Sequence, residues 1–426
     1  MSICNSKFIK KIISLKNIKE NKVLTIFGCS FGFKNPKYLA KQLAIAKELA
    51  LDVVNSSVLN KIPTKTVLIS EMNGSCHGEL ISGLYEYLNA LGYNVDIALS
   101  DINYNRGALD HLKGSNQCRI FTVNNENWNK FWANENIKNY ENIILNSHYV
   151  YSVNPKPEFS STEKTVDGEI YINSAFTLFP SLKKWYEKII LLEHHQEHID
   201  ADLMKDKKIF SFVDCELSLA NNIPYINPHY FKDVEIKTKD TNFTKFIVVG
   251  HIQNFRKDIN SIIDAVEKLD EKGVNNFKVV FIGSGNPEIK NKNILKYFEV
   301  KGGLSYEEMY NEIEQADYIL PLLNPHNEVH CRYIKNCGSG SFQHVYAFSK
   351  PCVTAKKFAD TYFLDYNSSV IHEDANDFTD ALLKAIQIKS EEYAELCTSL
   401  RALSENLKEK SKQNLKEMLA CNKKKG

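Results

Sequence analysis

Val248–Ala265, VVGHIQNFRKDINSIIDA, is the stretch whose reading decides the fold. A β-branched run ends on Gly250, a short polar loop follows, and from Asp258 onward Ile259, Ile262, Ile263, Val266 and Leu269 recur at helical spacing. A strand passing through glycine into a helix opens a parallel βαβ unit. Gly250 lets the backbone come close to a ligand at the strand end, and the helix N-terminus beside it favours an anion. His251 follows the glycine, and Arg256 and Lys257 stand immediately before the helix, where two cationic donors suit a diphosphate.

Working outward, Phe277–Ile282 is the next strand and ends in Gly283-Ser-Gly285; a third turn, Gly302-Gly303, lies between Glu299–Val300 and Leu304. Three glycine turns at the carboxyl ends of successive strands mark the edge at which open parallel sheets bind ligands. A helix around Tyr306–Glu314, strands at Tyr318–Leu323, Pro351–Val353 and Val370–Ile371, and a helix carrying Phe378, Leu382, Ala385 and Ile386 continue the series. Upstream the same alternation is legible. Thr66–Glu71, Tyr93–Leu99, Asn142–Asn146 and Lys188–Glu193 read as strands, and Leu80, Leu84, Tyr87, Leu88 and Leu91 form a helical stripe stopped by Gly92. The expectation is an α/β chain of two Rossmann-like doubly wound domains with an interdomain cleft. Asn221–Pro228, followed by the charged run Lys232–Asp240, is the expected linker. The expected units are an N-terminal extension over 1–64, a Rossmann-like domain over 65–225, a second over 244–388, and a C-terminal helix with a basic tail over 389–426.

The extension reads differently. Lys22–Phe27 is a candidate strand, followed by Gly28-Cys-Ser-Phe-Gly32 and an expected helix from about Pro36. Ser6–Lys22 carries six lysines against Glu20, with Phe8, Ile9, Ile12, Ile13 and Leu15 on one face if helical. Such a basic amphipathic helix either docks on its own domain or lies on an anionic membrane surface; Lys423–Lys425 adds charge at the other end.

Composition narrows the classes. With 53 basic and 52 acidic residues the chain has a net charge of +1, which speaks against a dedicated nucleic-acid binder. Its ten cysteines form no CxxC pair, and with no secretory signal they read as reduced thiols in a cytoplasmic protein. No apolar run is long enough to span a bilayer. His194 and His198 stand four apart, but the HExxH order is missing, so no metal site is expected.

Taken in order, Val248–Ala265, Val279–Gly285, Gly302–Ala316, Asp317–Pro321 and Lys350–Val353 resemble the carboxyl-terminal half of retaining GT-B glycosyltransferases of family four, over about Lys245 to Ile386. The first half is similar to that fold only loosely. The resemblance implies transfer of a sugar from a nucleotide-sugar donor, with a UDP-sugar as the expected donor, to a glycan or lipid-linked acceptor, without cofactor or metal. Carried over by position, Lys257 matches the phosphate-contacting lysine with Arg256 beside it, His251 replaces an arginine, and Val300–Leu304 matches the turn that holds the base. The family's paired glutamates are absent. Their positions fall on Asn336 and His344, and Glu328 is the acid nearby. In their place Gly338, Ser339, Gly340 and Ser341 open a helix, a composition suited to cradling phosphate.

The first half supplies histidines at strand ends: His77 after Glu71, His148 after Asn146, and His194 and His195 after Glu193. Each could face the cleft and take a proton from an acceptor hydroxyl. His77, His148, His194 and Glu328 are therefore the candidates for chemistry. Three other readings share the pattern: a nucleotide-sugar epimerase, a CDP-glycerol-type transferase suggested by Phe27–Leu39, and a binding protein of the same fold that does not catalyse.

Overall fold

A computed structural model describes residues 13–18, 21–26, 29–34, 51–52, 57–74, 76–112, 118–152, 161–165, 168–194, 204–206, 208–236 and 238–423. In the first half, β1 (Thr66–Glu71), β2 (Asn94–Ser100), β3 (Cys118–Val123), β4 (Asn142–Leu145), β5 (Ile189–Glu193) and β6 (Ile209–Ser211) form one parallel sheet. Its order is β3-β2-β1-β4-β5-β6, with Leu51–Asp52 beside β3. In the second half, β7 (Thr244–Val249), β8 (Phe277–Ile282), β9 (Phe298–Gly302) and β10 (Tyr318–Ile319) run in the order β9-β8-β7-β10. A parallel bridge from Ile319 to Cys352 then leads to β11 (Val353–Ala355) and β12 (Val370–His372). Both halves thus repeat one doubly wound order, 3-2-1-4-5-6, whose reversal between the first and fourth strands opens a crevice at the carboxyl edge.

The sequence explains these elements locally. Every position of β1 is buried, as a central parallel strand covered on both faces requires. Helix α1 (Ile81–Ala90) buries Ile81, Leu84, Tyr87 and Leu88. In α2 (Ile259–Glu271), Ile259, Ile262, Val266 and Leu269 enter the core while the Asp258 side chain caps the first turn from Ser261 N–H, at 3.3 Å. A reciprocal capping box between Ser305 and Glu308 starts α3 (Tyr306–Gln315). Helices α4 (Glu328–Lys335), α5 (Gly340–Phe348) and α6 (Phe378–Gln387) complete the second half.

Helix α7 (Ser390–Lys423) is 34 residues, about 50 Å, and ties the two halves together. Tyr393, Leu396 and Cys397 pack into one core of the second half, Leu400 and Leu407 into its other core, and Leu415 and Leu419 into the first half's core. The linker is fixed against it. Nε2 of His229 lies 2.8 Å from Ser404 Oγ, and Ser411 Oγ accepts from Asn227 N–H at 3.0 Å.

The first half departs from the sequence reading. Ile13–Ile18 and Asn21–Ile26 are antiparallel strands, paired Ile13 to Ile26 through Ile18 to Asn21, so the helix expected over Ser6–Lys22 does not extend past Ile13. Isoleucine and valine favour a pleated, paired surface, and pairing between strands overrides a helical spacing of five apolar residues. Residues 1–12 lie outside the described residues. Cys29–Lys34 is a third strand of that sheet, over residues to which the sequence assigned no element; the helix expected from Pro36 also lies outside the described residues. A second antiparallel sheet, Tyr149–Ser152, Ser161–Thr165 and Gly168–Ser174, leaves the carboxyl end of β4 and has no counterpart in the sequence reading. Among the described residues no helix is long and apolar enough to cross a membrane.

Candidate active site

The carboxyl edges of the two sheets meet. Gly338 N–H points at His194 O, 3.4 Å away, and a Cβ on Gly338 would lie within 2.9 Å of Phe212 Cγ. Tyr306 Oη on α3 donates to Glu79 Oε2 at 3.0 Å, and the Arg106 guanidinium stands over the Tyr306 ring. The crevice between these contacts has one wall from each half.

On the second-half wall Lys257 is buried. Its Nζ donates to Ser341 Oγ at 2.8 Å and to Pro321 O at 3.1 Å, and among the described residues no carboxylate pairs with it. Burial pushes its pKa down to about 7. Ser341 lies in the first turn of α5, where Phe342 N–H bonds Ser339 O at 3.2 Å and the N–H groups of Gly340 and Ser341 stand ahead of the first acceptor of the helix. A Cβ on Gly340 would meet nothing within 4 Å, so this turn opens onto free space. His344, one turn on, is buried among Phe231, Tyr310 and Phe348, and burial, followed by the Lys257 charge, holds its pKa down to about 4. A neutral imidazole, an ammonium without counter-ion and the positive end of a helix therefore converge.

The expected donor residues divide accordingly. Lys257, Gly340, Ser341 and His344 come together. Gly338 faces Phe212 and not the open turn, and Ser339 N–H is taken by Tyr362 Oη at 2.7 Å, so within Gly338–Ser341 the open part is the turn at Gly340. Arg256 stacks on Phe255 and hydrogen-bonds Tyr333 on α4. Gly250, Gly283 and Gly285 all have positive φ. A Cβ on Gly283 would lie 2.7 Å from the Gly250 carbonyl carbon, and one on Gly285 2.6 Å from Ile252 O, so those two glycines let neighbouring strand ends pack together. His251 Nδ1 joins the same loops through Ser284 Oγ at 2.6 Å. Val300 is exposed, Leu304 is half-buried against the core, and Gly303 borders open space. Glu328 is exposed in the first turn of α4; on that helix it is His330 that is buried, with both Asp258 and Lys257 acting on its charge.

On the first-half wall His77 and His194 are stacked, ring centroids 4.0 Å apart and 20° from parallel. His194 Nε2 lies 2.7 Å from Asn146 O, and His77 Nδ1 2.8 Å from Ser147 Oγ. His77 sits at φ 65°, a left-handed conformation that histidine tolerates better than most residues, and Asn146 Nδ2 holds its carbonyl at 2.8 Å. Behind them Glu71, at the end of β1, is fully buried. Its Oε2 accepts from Ser147 Oγ at 2.8 Å and Asn146 Nδ2 at 2.7 Å, its Oε1 from Asn73 N–H at 2.8 Å. Burial pushes its pKa up to about 7 although all three donors pull it down. His148 does not join this group through its ring. It is buried beside Tyr149 and Phe176, with Nε2 2.9 Å from Ser174 Oγ at the root of the antiparallel sheet. His195 and His198 lie outside the described residues. Sequence reasoning missed Glu71, Asn146 and Ser147; the one signal was an acid closing an otherwise buried apolar strand.

No protein family matches the sequence, and no curated protein matches it. Solved structures do match. A glycosyltransferase from Rickettsia africae superposes with a TM-score of 0.55 at 13% identity, covering 86% of this chain and 100% of that one. S. aureus TarM, in a complex with fondaparinux, alpha-GlcNAc-glycerol and UDP, superposes with a TM-score of 0.53 at 13% identity, covering 84% and 100%. The fold is GT-B. Two Rossmann-like sheets facing across a cleft, with the last helix returning to the first half, are the GT-B arrangement. In GT-B terms Lys257 and α5 lie on the carboxyl-terminal wall of the cleft, and Glu71, His77 and His194 on the amino-terminal wall.

Proposed function

We propose that the chain is a glycosyltransferase, moving a sugar from a nucleotide-sugar donor to a hydroxyl of a glycan or lipid-linked acceptor. The observation that carries this reading is the buried, uncompensated Lys257 at the open first turn of α5. A buried ammonium without a counter-ion is costly, and a diphosphate supplies the missing charge. In the transfer the bond between the anomeric carbon and the diphosphate oxygen breaks, and negative charge grows on the phosphate that Lys257 and the N–H groups of Gly340 and Ser341 face. The open turn at Gly302-Gly303, with exposed Val300, leaves room for the base. The first-half wall presents His77 to an acceptor. The UDP in the TarM complex supports a uridine donor. Calorimetric titration of UDP, GDP and CDP, followed by incubation with radiolabelled nucleotide sugars and candidate acceptors, tests the reading. Absence of binding by all three nucleotides would overturn it.

Gly340→Val is a sharper test of the phosphate position. Its Cβ points into open space, so the variant is expected to keep its thermal midpoint within about 2 °C while UDP binds about tenfold or more weakly. An ordinary helix cap would show the opposite, with stability reduced and affinity retained.

A further inference from the structure

Lys257 does not hold its place alone: the loop that follows β10 is fastened to the loop that carries it. Lys257 Nζ donates to Pro321 O at 3.1 Å, and Asp258 N–H to the next carbonyl, Leu322 O, at 2.7 Å. Two consecutive carbonyls reach the same neighbour because Leu322 is turned to φ 52°, a left-handed conformation that leucine keeps only under constraint. The constraint lies two residues on, at Asn324. Its Nδ2 donates to Asp258 Oδ2 at 2.8 Å, and its backbone N–H donates to Nδ1 of His330 at 3.0 Å. His330 is fully buried in the first turn of α4, which Asn327 caps through Val329 N–H at 2.9 Å, so its ring is a fixed point for the loop. A backbone N–H can only donate. Nδ1 of His330 therefore presents a lone pair, and the proton of the neutral ring sits on Nε2. Burial lowers the pKa of His330; the Asp258 charge opposes this, the Lys257 charge adds to it, and the Phe255 backbone opposes it again. The net shift favours the neutral ring, which is the form able to accept.

We propose that His330 is a positioning residue for the donor diphosphate: by accepting Asn324 N–H it holds the β10–α4 loop in its strained form, and that loop holds Lys257 at Ser341. The proposal rests on the glycosyl-transfer reading for the diphosphate itself. Without an acceptor at position 330, Asn324 N–H loses its partner, and the loop is free to relax at Leu322 toward the backbone conformations that leucine favours. Pro321 O and Leu322 O then turn away from the loop before α2, and Lys257 Nζ keeps one of its two bonds, that to Ser341 Oγ. A lysine head on a flexible four-carbon stem has many other places to go. Two fixed acceptors select one of them, beside the N–H groups of Gly340 and Ser341. His330 acts on the diphosphate through this loop and takes no part in the chemistry.

The test is a double-mutant cycle on the full chain, read by calorimetric titration of UDP. His330→Phe, which keeps a ring but has no acceptor, is expected to bind UDP about tenfold more weakly than wild type. In a Lys257→Met background the same change should weaken binding less than about twofold, because the residue it positions is gone. His330→Asn, whose amide oxygen falls near the place of Nδ1, should restore UDP affinity to within about threefold of wild type. A merely structural role for His330 would give the same loss with and without Lys257, and that result would overturn the proposal. So would His330→Phe binding UDP as wild type does, or His330→Asn binding no better than His330→Phe. The ring itself gives a reading that needs no folded His330→Phe. In spectra of the 15N-histidine-labelled chain at pH 8, with His330 assigned by the signals lost in His330→Asn, the ring is expected to be protonated on Nε2. A ring protonated on Nδ1 cannot accept Asn324 N–H and would sink the idea. The two readings fail separately. A wild type that binds no UDP defeats the glycosyltransferase reading, whereas UDP binding with independent effects at His330 and Lys257 defeats only the positioning role.

Discussion

Lys257→Met is expected to lose about 10- to 150-fold in UDP affinity and, at neutral pH, to gain stability. The first effect follows from removing charge-assisted bonds to phosphate, each worth roughly 1.5–3 kcal/mol. The second follows from burial. Burial holds the Lys257 pKa down to about 7 in the fold, against an ordinary value of 10.5. Between those values the unfolded chain binds a proton that the fold does not, so stability rises as pH climbs through this window. Below pH 7 the fold must keep the ammonium charged, at a cost on the order of 5 kcal/mol. Methionine fills the space without that cost but forgoes the bonds to Pro321 O and Ser341 Oγ, leaving a net gain of about 1–4 kcal/mol. Thermal melts from pH 6 to pH 10 should show the wild type approaching the variant as pH rises. Linkage adds a further readout: at pH 8 UDP binding to the wild type should take up about 0.9 proton, seen as different binding enthalpies in phosphate and Tris buffers. No proton uptake, or unchanged UDP affinity in Lys257→Met, would remove Lys257 from the site.

Gly283→Ala is expected to be severe for a different reason. Gly283 has φ 138°, and the added Cβ would lie 2.7 Å from the Gly250 carbonyl carbon and 3.2 Å from Gly250 Cα. Both are backbone atoms at the end of β7, held by Gly250 N–H to Ile282 O at 2.9 Å, and cannot swing aside as a side chain would. Unfavourable backbone geometry and overpacking together should cost about 3–5 kcal/mol. In a half of this size that is roughly 10–15 °C of its melting midpoint. Gly303→Ala is the control, because its Cβ meets nothing within 4 Å, and it should melt within about 2 °C of wild type. Scanning calorimetry with limited proteolysis would locate the loss in the second half. A Gly283→Ala melt indistinguishable from that of Gly303→Ala would mean the strand ends are not packed in this way.

These two residues show where a sequence reading stops. Gly250, Gly283 and Gly285 were legible as turns at strand ends, because glycine after a β-branched run has few other uses. Their purpose was not: Gly283 and Gly285 make room for neighbouring backbone, and only contacts between β7 and β8 reveal it. Lys257 was legible as a cation before a helix, yet nothing in its neighbours predicts a buried, unpaired ammonium. That state depends on Pro321 and Ser341, 64 and 84 residues away. Among the histidines, spacing placed His77, His148 and His194 at one sheet edge but could not separate His148, beside Ser174 and Phe176, from the stacked pair.

By itself, the sequence determined the alternation of strands and helices, the two α/β halves, the carboxyl edge at which the candidate site lies and the long terminal helix. All of these follow from local periodicity and breaker residues, which act over a few positions. Tertiary structure alone decided the pairing of Ile13–Ile18 with Asn21–Ile26, the short register of β10, and the Glu71–Ser147–His77 chain. Hydrogen-bond partners and burial are properties of positions distant in sequence, and a carboxyl that ends a strand acquires its chemistry only when the fold removes water from around it.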